Sequence, residues 1–260
     1  MERMVTVESG EIWAAETGAG GQGLPVVLLH PAVGDSRLWD PVLPHLTGLP
    51  RLIRYDARGY GNSPKPAAGY SQRADLRAVL DHFGVERAVL VGSSMGGRTA
   101  IGLALDEPGR VAGLGLLVPG VSGYPDLEVR EVTEQIEILA KAGDMDGLVA
   151  LGLRLWGAAG TPPDAEATAA LRGAIPAWFT TFGHEAEEPP LYDRLGELDL
   201  PCALLLGERD QPEVVRCNEE MAAHIPGCEL LRQPDCDHFP TLRAPRAVAE
   251  LVTRLYERAV

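Results

Sequence analysis

The chain has 260 residues, 45% of them hydrophobic and 23% charged, which is enough apolar material for one large core that needs neither disulfides nor a structural metal. Its formal net charge of −14 argues against nucleic acid or an anionic membrane surface as a partner, because both call for a basic footprint. The four cysteines, Cys202, Cys217, Cys228 and Cys236, make no CxxC pair and no zinc spacing.

They read as reduced thiols of a cytoplasmic protein, with Cys228–Cys236 the one contact weighed. The opening stretch MERMVTVESGEIWAAETGAGG has no apolar signal core, and no run of about 18 apolar residues offers a membrane span. In chain order, strands are predicted at Glu11–Ala15, Val26–Leu29 and Leu52–Tyr55, then a helix over Ser71–Phe83. A strand at Ala88–Val91 runs into a helix over Met95–Asp106, and another strand follows at Leu114–Val118. Runs such as Val26-Val27-Leu28-Leu29 suit strands buried on both faces.

Between Gly120 and Asp199 the strand signals stop. Helical spacing continues (Val132, Ile136, Leu139, then Leu148, Leu151, Leu155), broken by Thr161-Pro162-Pro163 and Glu188-Pro189-Pro190. This segment reads as a helical insertion. Strands resume at Ala203–Leu206 and Glu229–Leu231, alternating with helices over Pro212–Ile225 and Pro245–Glu257. The alternation predicts an α/β fold with a mostly parallel central sheet flanked by helices.

Gly92-Ser93-Ser94-Met95-Gly96 fits G-x-S-x-G with Ser94 at the centre, whereas Ser93 would have Val91 and Met95 in the glycine positions. A serine on a tight strand-to-helix turn needs small neighbours, and the turn leaves backbone N–H groups free to stabilise negative charge. A plain serine helix cap would look the same over five residues. A phosphate loop would not, since no Gly-Lys-Ser/Thr follows.

A serine hydroxyl needs a base. His45, His82 and His184 fall in loops or on helical surfaces, His224 ends a helix, and His30 ends the Val26–Leu29 strand. His238, in PDCDHFP between the last strand and the last helix, is the best base. Asp210, in LLLGERDQP just past a buried strand, is the best acid to hold its tautomer. Glu208 is the local rival, and Asp235 and Asp237 sit too close to His238 in sequence. The order Ser94, Asp210, His238 suits this sheet type.

Taken together, VVLLHPAVGDSRLWDPVLPHL, RLIRYDARGYGNSPKP, LVGSSMGGRTAIGLALDEPGRV, LLLGERD and DHFPTLRAPRAVAELV resemble the α/β-hydrolase fold family over nearly the whole chain. The resemblance implies a hydrolase core over 1–120 and 200–260 and a helical cap over 121–199. It implies catalysis by Ser94, Asp210 and His238 without cofactor or metal, and an oxyanion hole from the N–H groups of Ala32 and Met95. It places Asp56 and Arg58 in a structural loop that braces the site from behind. Two residues depart from the family pattern. Pro31 stands where glycine is usual, and Asp237 stands where glycine is frequent. Asp237 is expected to point to solvent, the alternative being that it raises the pKa of the imidazole.

Residues 121–199 hold fifteen Asp/Glu and five Lys/Arg, so −10 of the charge lies there and disfavours polyanionic substrates. Trp156, Trp178, Phe179 and Phe182 read mainly as the core of the cap. Trp156 and Trp178, with Arg98 and Phe239, are the first candidates for contact with a small-molecule substrate. The segment Trp39-Asp40-Pro41 and DARGYGNS are similar to enol-lactonases and small esterases, which implies hydrolysis of a carboxylic ester or lactone. SMGGR is similar to the menaquinone-pathway enzyme that eliminates pyruvate, which implies a lyase with Arg98 on a carboxylate. Haloperoxidase-like and carbon–carbon-bond hydrolases share these motifs, and a binding protein that keeps the fold is the reading from outside enzymology. Either a monomer or a homodimer fits.

Overall fold

The computed structural model describes residues 1–18, 23–125 and 130–260. Its strands, in chain order, are β1 (Glu2–Val7), β2 (Gly10–Thr17), β3 (Val26–Leu29), β4 (Leu52–Tyr55), β5 (Ala88–Ser93), β6 (Val111–Leu117), β7 (Cys202–Gly207) and β8 (Glu229–Gln233). They form one sheet in the order β1-β2-β4-β3-β5-β6-β7-β8. The β1–β2 and β2–β4 pairs are antiparallel, and every pair from β4 onward is parallel. β1 is the strand that periodicity does not predict. Only Val5 and Val7 of it are buried, so its apolar alternation is one repeat long.

The helices are α1 (Gln72–His82), α2 (Met95–Asp106), α3 (Arg130–Ala142), α4 (Met145–Trp156), α5 (Ala165–Thr180), α6 (Pro212–His224), α7 (Pro240–Arg243) and α8 (Pro245–Ala259). The period of two along the strands sorts the core into two layers. Val27, Leu29, Leu90, Leu204 and Leu206 pack with Leu76 and Leu80 of α1, Ile101 of α2 and Met221 of α6. Val26, Leu28, Val89, Val91 and Leu205 face the other way, against Trp39, Val42 and the Val248, Leu251, Val252 and Leu255 stripe of α8. Burial on both faces explains the continuous apolar strands.

α3, α4 and α5 lie between β6 and β7. Asp144 and Asp164 cap α4 and α5, accepting from Gly147 N and Ala167 N. Leu148, Val149, Leu171 and Ile175 of these helices pack on Val33 and Leu38, from the segment after β3, and on Phe239. The helical segment therefore sits against the segment that leaves the carboxyl end of β3. Phe179 and Phe182 depart from the expected interior position, being 44% and 85% exposed. The cysteine contact differs too. β7 and β8 pair Ala203 with Glu229, which brings Cys228 Sγ to 3.6 Å from Cys202 Sγ instead of to Cys236, and both thiols are free. Among the described residues no helix is long and apolar enough to cross a membrane.

Candidate active site

β5 ends at Ser93 and α2 begins at Met95, so Ser94 alone makes the turn, at φ +48° and ψ −110°. A side chain in that region is strained. The corner can be this tight because its neighbours lack Cβ atoms. A Cβ on Gly92 would overlap the Gly96 carbonyl, one on Gly96 would stand 2.5 Å from Leu29 O, and one on Gly97 would stand 2.9 Å from Pro119 Cβ. Ser93 stays buried in the strand. Ser94 N donates to Leu117 O at 2.9 Å, and Ser94 O accepts from Arg98 N at 3.0 Å and Gly120 N at 3.1 Å.

Asp210 follows β7 and His238 follows β8, so all three residues gather at the carboxyl edge of the parallel strands β5 to β8. His238 Nε2 lies 2.9 Å from Ser94 Oγ, and His238 Nδ1 lies 2.6 Å from Asp210 Oδ2. The carboxylate fixes the proton on Nδ1 and leaves Nε2 to accept from the serine hydroxyl. Asp210 Oδ1 in turn accepts from Gln211 N at 2.8 Å. Burial alone would push His238 down. The charge and hydrogen bond of Asp210, helped by the charge of Asp237, outweigh it and raise the imidazole above its ordinary pKa. The rival Glu208 is exposed and pairs with Arg232 at 3.4 Å, and Asp235 is also exposed.

Asp237 does not point to solvent. Its side chain is fully buried, accepting from Ala159 N and Phe239 N, each at 2.9 Å, and from Arg243 Nε at 3.1 Å. Arg243 also reaches Asp164, the cap of α5, at 2.5 Å. With His238 N donating to Trp156 O at 3.1 Å, the histidine loop is tied to the end of α4 and the start of α5. Sequence reasoning missed this because Ala159 is 78 residues away and nothing local shows that Arg243 turns back onto Asp237. It also missed Gly207, where a Cβ would stand 2.6 Å from Asp237 O and push the histidine loop off β7.

His30 is another omission. Its Nδ1 donates to Pro31 O and its Nε2 accepts from Ala57 N, both at 2.9 Å, so the buried ring holds the turn that carries Ala32. Trp178 Nε1 donates to Ala32 O at 2.7 Å and holds the same peptide from the other side. Asp56 accepts from Ser36 N and Asn62 N, and Arg58 makes a buried two-pronged pair with Asp75 at 2.7 Å.

Ser94 opens into a cavity of about 630 Å³ whose walls include Ala32, Met95, Tyr60, Tyr124, Arg98 and Glu185. Arg98 is thus on the cavity wall, with its guanidinium 2.7 Å from Glu185. Trp156 and Trp178 are half-buried, stacked edge to face at 5.6 Å, with Trp156 6.5 Å from the His238 ring. They flank the histidine and lie outside the walls of the serine cavity. Phe239 is buried in the apolar cluster under α4 and α5, beneath Arg243 and away from the cavity. The sequence reading expects a substrate contact at Phe239, and Phe239 is not among the residues that line the cavity.

The sequence profile described as the alpha/beta hydrolase family matches residues 26–251. Over 272 residues the chain is 28% identical to a candidate 2-succinyl-6-hydroxy-2,4-cyclohexadiene-1-carboxylate synthase of Bacillus subtilis, covering 96% of each chain. Among solved structures it is similar to the N-acyl homoserine lactone degrading enzyme Est816, with 30% identity, a TM-score of 0.76, and 97% of this chain and 99% of that one covered. It is also similar to the esterase RhEst1 of a Rhodococcus species, with 28% identity, a TM-score of 0.80, and 99% of each chain covered. An eight-stranded, mostly parallel sheet, a profile match over most of the chain and whole-length likeness to hydrolases lead to one conclusion: the chain belongs to the alpha/beta hydrolase family.

Proposed function

We propose that the protein cleaves a carboxylic ester or lactone through an acyl-enzyme on Ser94. The observation that carries this reading is the unbroken hydrogen-bond chain from Asp210 through His238 to Ser94 Oγ. His238 Nε2 takes the hydroxyl proton as Oγ attacks the acyl carbon. The N–H groups of Ala32 and Met95, which donate to no protein acceptor among the described residues, receive the oxyanion. Collapse expels the alkoxide, which leaves with the proton from His238. Water then repeats the sequence, giving up a proton to His238, releasing the acid and restoring Ser94. In this reading residues 121–199 form a cap over the site, and Trp156 and Trp178 shape its approach beside His238.

The likeness to the Bacillus subtilis protein supports a second reading, in which the same serine and histidine serve an elimination and Arg98 holds a substrate carboxylate. The pairing of Arg98 with Glu185 weighs against it. A fluorophosphonate probe combined with a panel of short esters and lactones separates these readings. The expected result is labelling of Ser94 and hydrolysis of a panel member, both lost in Ser94→Ala, with turnover down on the order of a millionfold. Labelling that survives in Ser94→Ala, or pyruvate elimination with no cleavage across the panel, overturns the hydrolase reading.

A further inference from the structure

Arg98 lies one helical turn after Ser94, on the wall of the serine cavity, where a free guanidinium would act as an anion receptor. It is not free. Its Nη2 is 2.7 Å from Glu185 Oε1, and its Nε is 3.6 Å from Glu188 Oε2. The side chain of Glu188 is 8% exposed, and neither carboxylate oxygen has a hydrogen-bond partner among the described residues. Among the described residues its charge is balanced by Arg98 and by Arg73, whose Nε is 3.5 Å from Glu188 Oε1. Arg73 is itself drawn to Asp106 at 2.5 Å. Asp106 is shared with Arg194 at 3.4 Å, which itself pairs with Glu197, so behind the cavity wall the guanidinium groups of Arg73, Arg98 and Arg194 face the carboxylates of Asp106, Glu185, Glu188 and Glu197. No positive charge is left over.

The arrangement is also anchored. Tyr70 N donates to His184 O at 2.9 Å, and Ala186 N donates to Tyr70 O at 2.8 Å, so the backbone on each side of Glu185 is pinned to the segment before α1. The ring of Tyr70 in turn stacks under the buried Arg58 at 4.9 Å. A substrate anion entering here would have to displace Glu185 from Arg98 and would still face Glu188, both in a site that burial has already removed from much of the solvent. Like charges brought together under those conditions disfavour the anionic substrate.

We infer that Glu185 and Glu188 are specificity-determining residues that neutralise Arg98, so that the Ser94 cavity takes an uncharged substrate and rejects one bearing a carboxylate near the scissile bond. This rests on the ester or lactone reading above and refines it.

The test uses isosteric pairs in which an isopropyl group replaces a carboxylate. Ethyl 4-methylpentanoate is compared with monoethyl succinate, which varies the acyl side. 4-Methylpentyl acetate is compared with 4-acetoxybutanoate, which varies the alcohol side. Hydrolysis is followed by release of the alcohol or acid. In the wild-type protein the neutral ester of at least one pair is expected to be favoured about a hundredfold in kcat/KM. Glu185→Gln is expected to narrow that ratio tenfold or more, chiefly through KM of the anionic ester, and Glu188→Gln to narrow it in the same direction. The ratio is internal to each variant, so a loss of overall activity does not disguise it. The wild-type ratio also stands if one variant does not fold. Selectivity within threefold for both pairs in the wild type, or an unchanged ratio in both variants, overturns the inference and leaves the hydrolase reading in place. Absence of turnover of any neutral ester or lactone by the wild type overturns both.

Discussion

Ser94→Gly is expected to abolish turnover, as Ser94→Ala is, and to be more stable than Ser94→Ala. Both variants lose the hydroxyl and its hydrogen bond to His238 Nε2, so the difference between them isolates the Cβ at φ +48°. Three backbone hydrogen bonds hold the turn, to Leu117 O and from Arg98 N and Gly120 N, and they do not depend on the side chain. Glycine therefore inherits the same backbone conformation without the strain. Relief of a side chain held in a sparsely populated region is worth on the order of 1–3 kcal/mol. The greater freedom of glycine in the unfolded chain takes back about 0.5–1 kcal/mol. The net is about 1 kcal/mol in favour of glycine, which for a chain of this size is a Tm higher by roughly 2–4 °C. Thermal melts of the two variants at one pH, followed by far-UV circular dichroism, read this directly. A glycine variant that melts at or below the alanine variant refutes the argument that the turn stores strain.

Because Asp210 and Asp237 together hold His238 above its ordinary pKa, and the proposed mechanism uses the neutral imidazole as its base, kcat/KM should rise with pH through an inflection above about 6.5. The sign for stability is the reverse. The imidazolium–Asp210 pair stabilises the fold fully below about pH 6.5 and ceases to do so as pH rises through the folded-state value. Asp237→Asn should move the kinetic inflection down, since one raising charge is gone, and should lower Tm, because Arg243 loses a buried partner at 3.1 Å. Asp210→Asn should cost on the order of 10⁴ in kcat by presenting the wrong tautomer to Ser94. Glu208→Gln, on an exposed side chain paired with Arg232, should change ester kinetics by less than threefold.

The fold was legible where one local signal decides the outcome. Val26–Leu29, Leu52–Tyr55 and Met95–Asp106 have the bounds that the apolar runs and the glycine corner predict. The candidate site was legible for a similar reason. A parallel sheet delivers each strand's carboxyl end to one edge, so residues just past Ser93, Gly207 and Gln233 must gather there whatever lies between them. That is why Ser94, Asp210 and His238 could be singled out from chain order.

What escaped was partnership across the insertion. Asp237 looked solvent-facing because the sequence shows it in a polar loop. Its burial depends on Ala159, 78 residues away, and on an arginine that also serves the cap of α5. Arg98 could equally have been an anion receptor or a paired side chain, and nothing within a helical turn of it decides between them. The residue that decides is Glu185, 87 positions on, set by a backbone bridge to Tyr70 that no periodicity reveals. In both cases the helix-rich segment between β6 and β7 supplies the group that changes the meaning of a core residue. On this sheet the placement of Ser94, Asp210 and His238 follows from strand order, whereas the charge around the Ser94 cavity follows from which side chains of the segment between β6 and β7 reach the strand ends.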